Sequence, residues 1–172
     1  MDNIADNIIT ETGTNLDCST IILAQALKDS ELKGHVYTEE LDEVNYLKEK
    51  EKINNAGLSE YVKLFCEDSV DFLERIVMDI VTIRFAFLDS CHDQYHLVKE
   101  FELIYPKLID ESIVFFDNTY KIAHEGEDQR VNGALRVIKE RFGGNLINFE
   151  NTSWYTHGQA LWQKHAFRKA WE

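Results

Sequence analysis

Short apolar runs rich in β-branched and aromatic residues alternate along the chain with longer stretches whose apolar positions recur at three- and four-residue spacing. The first kind reads as strand and the second as amphipathic helix. Their alternation predicts a parallel sheet covered by helices. The first strand is Asn7–Thr10, ending at Glu11-Thr12-Gly13-Thr14. A helix follows from Asp17 or Ser19, either a suitable N-cap, through Ile21, Ala24 and Leu27. His35–Thr38 is a strand, and Glu43–Ala56 a helix closed by Gly57. Tyr61–Phe65 is the third strand, after which Asp68 caps a helix carrying Val70, Leu73, Ile76 and Val77. Ile83–Leu88 is the fourth strand, and the next helix runs from His92 to Tyr105, where Pro106 disturbs the last turn. Ile113–Phe116 is a strand stopping at Asp117-Asn118, and a helix from Asp128 to Phe142 ends at Gly143-Gly144. Two closing strands, Leu146–Phe149 and Gln159–Trp162, have no helix between them and should pair antiparallel. The pattern thus predicts an α/β fold: seven strands, mostly parallel, with an antiparallel last strand and helices on both faces.

Ligands of an open parallel sheet sit beyond the carboxyl ends of its strands, near the point where strand order reverses. Those ends are acidic throughout. The first carries Glu11, Gly13 and Thr14, the second Glu39 and Glu40, and the third Glu67, Asp68 and Ser69. The fourth carries Asp89, Ser90, Cys91 and His92, and the fifth Asp117 and Asn118. Asp and Asn also form turns and helix caps after strands, so each residue alone reads as structural. Five acidic ends on one rim read as a site.

The wider composition agrees with that rim. The formal net charge is −13, which disfavours nucleic acid and anionic lipid as partners. A short basic cluster, Lys164, His165, Arg168 and Lys169, is too small to reverse the field. The 172 residues suit a single domain spanning 1–172, long enough for a core without staples. Three cysteines without framework spacing and no basic, apolar leader predict a cytoplasmic protein with reduced thiols. No apolar run approaches the roughly 20 residues of a membrane span.

A pyrophosphate site needs glycine-rich amides and a Lys or Arg at a helix start. The first turn here has one glycine and two acids, and neither phosphate-loop nor dinucleotide fingerprint occurs. A cationic adenosyl ligand without phosphate suits the rim better, because one carboxylate can bridge two ribose hydroxyls and others can receive an ammonium.

Glu11-Thr12-Gly13-Thr14-Asn15-Leu16-Asp17-Cys18-Ser19-Thr20 resembles the first motif of class I S-adenosylmethionine-dependent methyltransferases. Val36-Tyr37-Thr38-Glu39-Glu40 is similar to their second strand, with Glu40 the better match to the ribose-binding acid, and Glu67-Asp68-Ser69 resembles the segment beside adenine. Phe87–Tyr95 and Phe115–Asn118 look like two segments of the catechol and caffeoyl-CoA type O-methyltransferases. The resemblance implies a Rossmann-like three-layer sandwich and methyl transfer to a small molecule, at a hydroxyl oxygen. It implies a cofactor site of Glu11, Gly13, Thr14, Ser19, Glu40, Asp68, Ser69 and Asp89, and a divalent ion such as Mg²⁺ on Asp89, Asp117 and Asn118. His92 stands where the catechol enzymes carry their lysine base, which makes it the candidate catalytic residue.

Three departures are visible. Asp17 replaces the second glycine of the first motif, and Glu67 replaces the glycine before Asp68. The family's covering helices ahead of the first strand are missing, which would leave an apolar rim open to homodimer formation. These departures keep a second reading alive, a non-catalytic methyltransferase-fold binding module. His92 and His96 lie four apart like a zinc pair, but Asp93 stands where such pairs carry glutamate and no third ligand is evident. Trp154, Tyr155, His157 and Trp162 are candidates for lining an acceptor pocket, or for plain packing.

Overall fold

The computed structural model describes residues 7–16, 18–119, 130–149 and 158–165. The chain order is β1 (Asn7–Thr12), α1 (Ser19–Asp29), β2 (Gly34–Glu39), α2 (Glu43–Asn55), β3 (Val62–Phe65), α3 (Ser69–Asp79) and β4 (Ile83–Leu88). It continues through α4 (Gln94–Ile104), β5 (Leu108–Thr119), α5 (Val131–Phe142), β6 (Asn145–Phe149) and β7 (Gly158–Gln163). One seven-stranded sheet results, in the order β3-β2-β1-β4-β5-β7-β6. Neighbours from β3 through β5 pair parallel, and β7 runs antiparallel to both β5 and β6. Strand order reverses between β1 and β4, and the acidic rim lies at that crossing.

The helices divide between the two faces. On one, Ala24 and Leu27 of α1 and Ile53 of α2 bury against Val36 and Leu58. On the other, α3, α4 and α5 cover a larger core around Phe101, Phe116 and Trp162, each 0% exposed. Phe101 sits edge-on to Trp162 at 4.9 Å between ring centroids, with Phe142 at 5.1 Å. The Trp162 indole donates to Gly143 O at 2.8 Å, and a Cβ on Gly144 would fall 2.3 Å from the indole nitrogen. That close approach explains the Gly-Gly end of α5. Trp162 is therefore core and does not line an acceptor pocket; Trp154, Tyr155 and His157 lie outside the described residues.

Several boundaries differ from the pattern reading for identifiable reasons. The cap of α1 is Cys18, without a side-chain hydrogen bond, while Ser19 is already helical and Asp17 lies outside the described residues. The α4 helix starts at Gln94, because the Asp93 carboxylate caps it through Tyr95 N and His96 N at 2.9 and 3.2 Å. His92 is thus left before the helix. The β5 strand is longer than its apolar core: Glu111 at φ 67° absorbs a register shift, so Leu108 also pairs with Ile83. At its other end β5 runs through Asp117 and Asn118, with a second irregularity between Phe116 and Thr119.

Candidate active site

A cavity of about 470 Å³ opens at the carboxyl ends of β1, β2, β4 and β5. That size suits a small organic ligand. Its floor is the turn after β1. Gly13 has φ +79°, and a Cβ there would fall 2.4 Å from Asp89 O, so only glycine lets the turn cross the end of β4. The end of β2 holds the same turn twice: Thr14 N donates to Glu39 O at 3.0 Å, and Gly13 N donates to Glu39 Oε1 at 2.8 Å.

The expected cofactor residues divide into two layers. Gly13, Glu40, Asp68, Ser69 and Asp89 line the cavity. Glu40 is 8% exposed, and its carboxylate accepts from Asp42 N at 2.8 Å, which fixes the side chain at the strand end. Asp68 caps α3 by accepting from Val70 N at 2.9 Å. Glu11, Thr14 and Ser19 are not among the lining residues. Glu11 is fully buried on the α1 side, where its carboxylate accepts from Thr38 Oγ1 at 2.7 Å and from Thr20 Oγ1. Burial pushes its carboxyl above the usual range against the lowering effect of those hydroxyls. Thr14 shares a hydroxyl contact with Thr38, so these residues brace the turn from beneath.

The β4–β5 side carries the candidate catalytic group. His92 Nε2 accepts from Asn118 Nδ2 at 2.7 Å and lies 3.4 Å from Asp89 Oδ1. Asn118 reaches this position from a left-handed backbone at φ 60°, the irregularity near the end of β5. Asp117 also lines the cavity, and its carboxylate accepts from Gln159 Nε2 of β7 at 3.2 Å. Among the described residues no group of three or more His, Cys, Asp or Glu side chains is placed to hold a metal ion.

The pattern reading passed over a second polar cluster on the cavity wall. Ser69 Oγ lies 2.7 Å from His96 Nε2, and Glu100 Oε1, fully buried on α4, lies 3.4 Å from the same nitrogen. Ser90 Oγ donates to Glu100 Oε1, and the Glu100 carboxylate raises the His96 pKa against the opposing effect of burial. The available signal was the four-residue spacing of His92, His96 and Glu100.

A family model described as a methyltransferase domain matches residues 10–119, which contain every strand end of this cavity. The chain belongs to the methyltransferase-domain family. Solved structures agree on the fold of this methyltransferase domain. The O-methyltransferase TomG of Streptomyces achromogenes, involved in tomaymycin synthesis and solved with S-adenosylmethionine, is 17% identical with a TM-score of 0.76. The alignment covers 93% of this chain and 74% of that one. An O-methyltransferase of Bacillus cereus, solved with S-adenosylhomocysteine, is 20% identical with a TM-score of 0.77, over 92% and 74% of the two chains. A methyltransferase of Geobacter sulfurreducens is 16% identical with a TM-score of 0.67, over 94% and 72%. No curated protein matches the chain. No helix of the described residues is long and apolar enough to cross a membrane.

Proposed function

We propose that this methyltransferase domain uses S-adenosylmethionine to methylate a small molecule at a hydroxyl oxygen. The observation that carries the reading is the meeting of His92, Asp89 and Asn118 across the cavity from Glu40. The cavity fits an adenosyl group by size and by donor set: Glu40 stands at the end of β2 to take a ribose diol, and Asp68 and Ser69 stand at the head of α3 on the adenine side. When bound, S-adenosylmethionine supplies a methyl group made electrophilic by its sulfonium.

The chain's own work is alignment and proton removal. His92 Nε2 accepts from Asn118 Nδ2 at 2.7 Å, with Asp89 Oδ1 3.4 Å away. An acceptor hydroxyl that displaces the Asn118 amide from that nitrogen would give up its proton there as the oxygen–carbon bond forms and the methyl–sulfur bond breaks, with S-adenosylhomocysteine as the leaving thioether. Asp89 then stabilises the imidazolium, because its carboxylate faces the nitrogen that has gained the proton. Before the acceptor enters, the Asn118 amide holds the ring by its bond to Nε2.

Asp89, Asp117 and Asn118, the oxygen triad expected for a divalent ion, all line the cavity, and we read them as working without one. Asp117 is engaged by Gln159, and His92 Nε2 stands between Asp89 and Asn118. No step is therefore routed through Mg²⁺. A panel of phenols and alcohols incubated with S-adenosylmethionine tests both points at once. The expected product is an oxygen-methylated acceptor whose rate of formation does not change with added Mg²⁺ or with EDTA. Abolition by EDTA with recovery on Mg²⁺ would contradict the metal-free reading. Methylation at nitrogen or carbon alone would contradict the oxygen assignment.

A further inference from the structure

We propose, building on the adenosyl reading above, that Glu39 is a further ligand-binding residue that meets the positive charge of the cofactor. By this role it makes the cavity prefer S-adenosylmethionine over S-adenosylhomocysteine, the product that lacks the sulfonium charge. Glu39 ends β2 beside Glu40 and is only 2% exposed, yet it lines the cavity. A carboxyl so deeply placed normally has its oxygens satisfied by donors or a cation. Here Oε1 takes Gly13 N at 2.8 Å, while Oε2 has no hydrogen-bond donor among the described residues. The second oxygen is thus free for a ligand.

The surroundings define which ligand. Glu39 shares the cavity wall with Glu40 just after its strand, Asp68 at the head of α3, His96 on α4 and Asp89 beyond β4, and the charge of Glu100 on α4 also acts on it. Glu11 of β1 lies on the opposite face of the sheet, bonded to Thr38. No Lys or Arg is among the described lining residues, and His96 is engaged by Glu100. The missing positive charge must come with the ligand. Burial, reinforced by Glu100, Glu40 and Asp68, pushes the Glu39 carboxyl up to about 8, while the Gly13 bond opposes the shift. A bound cation favours the ionised form, so binding below that pH expels the proton and strengthens as pH rises. A neutral sulfur draws little of this gain.

The test is calorimetric titration of the whole chain with S-adenosylmethionine and with S-adenosylhomocysteine between pH 6 and 7.5, alongside Glu39→Gln. Glutamine keeps an acceptor for Gly13 and cannot ionise. A protonated imidazole on the wall would repel a sulfonium and not a thioether, so the variant's pH series is read beside the parent's, and only the part that Glu39→Gln removes is assigned to Glu39. In the parent, the preference for S-adenosylmethionine should rise about tenfold across this range, within the limit of roughly tenfold per pH unit for one proton. Its binding heat should depend on buffer ionisation enthalpy as a proton is released. Glu39→Gln should flatten the pH dependence and weaken S-adenosylmethionine about tenfold, leaving S-adenosylhomocysteine within about twofold. A parent ratio that ignores pH, or equal weakening of both ligands in the variant, overturns the assignment. If Glu39→Gln does not fold, His92→Gln and His96→Gln decide the matter: a pH dependence that both leave intact is expected, and one that either abolishes overturns the assignment. Binding of neither ligand to the parent overturns the adenosyl reading itself, and this proposal with it.

Discussion

Replacing His92 with glutamine is expected to lower kcat by about 10²–10⁴-fold, the usual worth of a positioned general base. The affinity for S-adenosylmethionine should stay nearly constant, because His92 stands with Asp89 and Asn118 on the side of the cavity away from Glu40. Glutamine keeps a polar group near Asn118, so the fold should survive. It has no basic nitrogen for the acceptor's proton. Steady-state kinetics on a phenolic acceptor check the result. Acceptors with low hydroxyl pKa should lose least, since they need the base least. A variant with unchanged kcat on a weakly acidic alcohol would remove His92 from the chemistry.

Replacing Glu40 with alanine should fall on binding instead. Two charge-assisted hydrogen bonds to a ribose diol, each worth roughly 1.5–3 kcal/mol, are lost together. Affinity for S-adenosylmethionine should therefore drop by about 10²-fold or more. The same carboxylate also accepts from Asp42 N at the head of α2, so the variant will lose some stability. A melting curve separates the two effects. Glu40→Gln, which keeps an acceptor for that amide, should recover the stability but only part of the affinity. Unchanged affinity in a folded Glu40→Ala protein would move the ribose elsewhere in the cavity.

Glu39 gives the neighbouring acid a different signature. Its carboxyl is raised from the ordinary glutamate value to about 8, so the folded state holds a proton that the unfolded chain has lost. Stability from this group is complete below the unfolded value near 4.5 and drains away as pH rises toward 8. The two adjacent glutamates are thus unlike: one fixed by a helix-head amide at the rim, the other sunk onto a glycine turn.

Much of the fold was legible because its signals are local. Apolar runs of four to six residues mark buried strands, and Asp68 announces the helix after β3 by the capping chemistry it performs. The order of the acidic rim could be listed because parallel strands connected by helices all end on one side. Side-chain convergence was not legible in the same way. The meeting of His92 with Asp89 and Asn118 depends on a left-handed residue near the end of β5 and on a cap one residue after His92. The strand ends named these positions, and the family resemblance gave them a metal triad with Asp117; neither announced that His92 would meet Asn118.

Burial decides other positions on which the pattern is silent. Trp162 alternates correctly along β7, but alternation cannot say which face receives α4 and α5. Glu11, Thr14 and Ser19 sit in the motif that resembles a cofactor loop, yet two of them are sealed beneath it, and the third, half-buried at the start of α1, is not among the cavity-lining residues. Glu39 and Glu100 are acids in a sequence full of exposed acids, and nothing in their neighbours announces complete burial. Their importance comes from the end of one strand meeting the face of a helix some sixty residues later.

Whether this cavity holds S-adenosylmethionine is tested most directly by calorimetric titration of the whole chain. Saturable binding at one site per chain is expected, displaced by S-adenosylhomocysteine and weakened about 10²-fold in Glu40→Ala. A folded chain that takes up no S-adenosylmethionine at millimolar concentration, or that binds it equally well without Glu40 and Glu39, would contradict it.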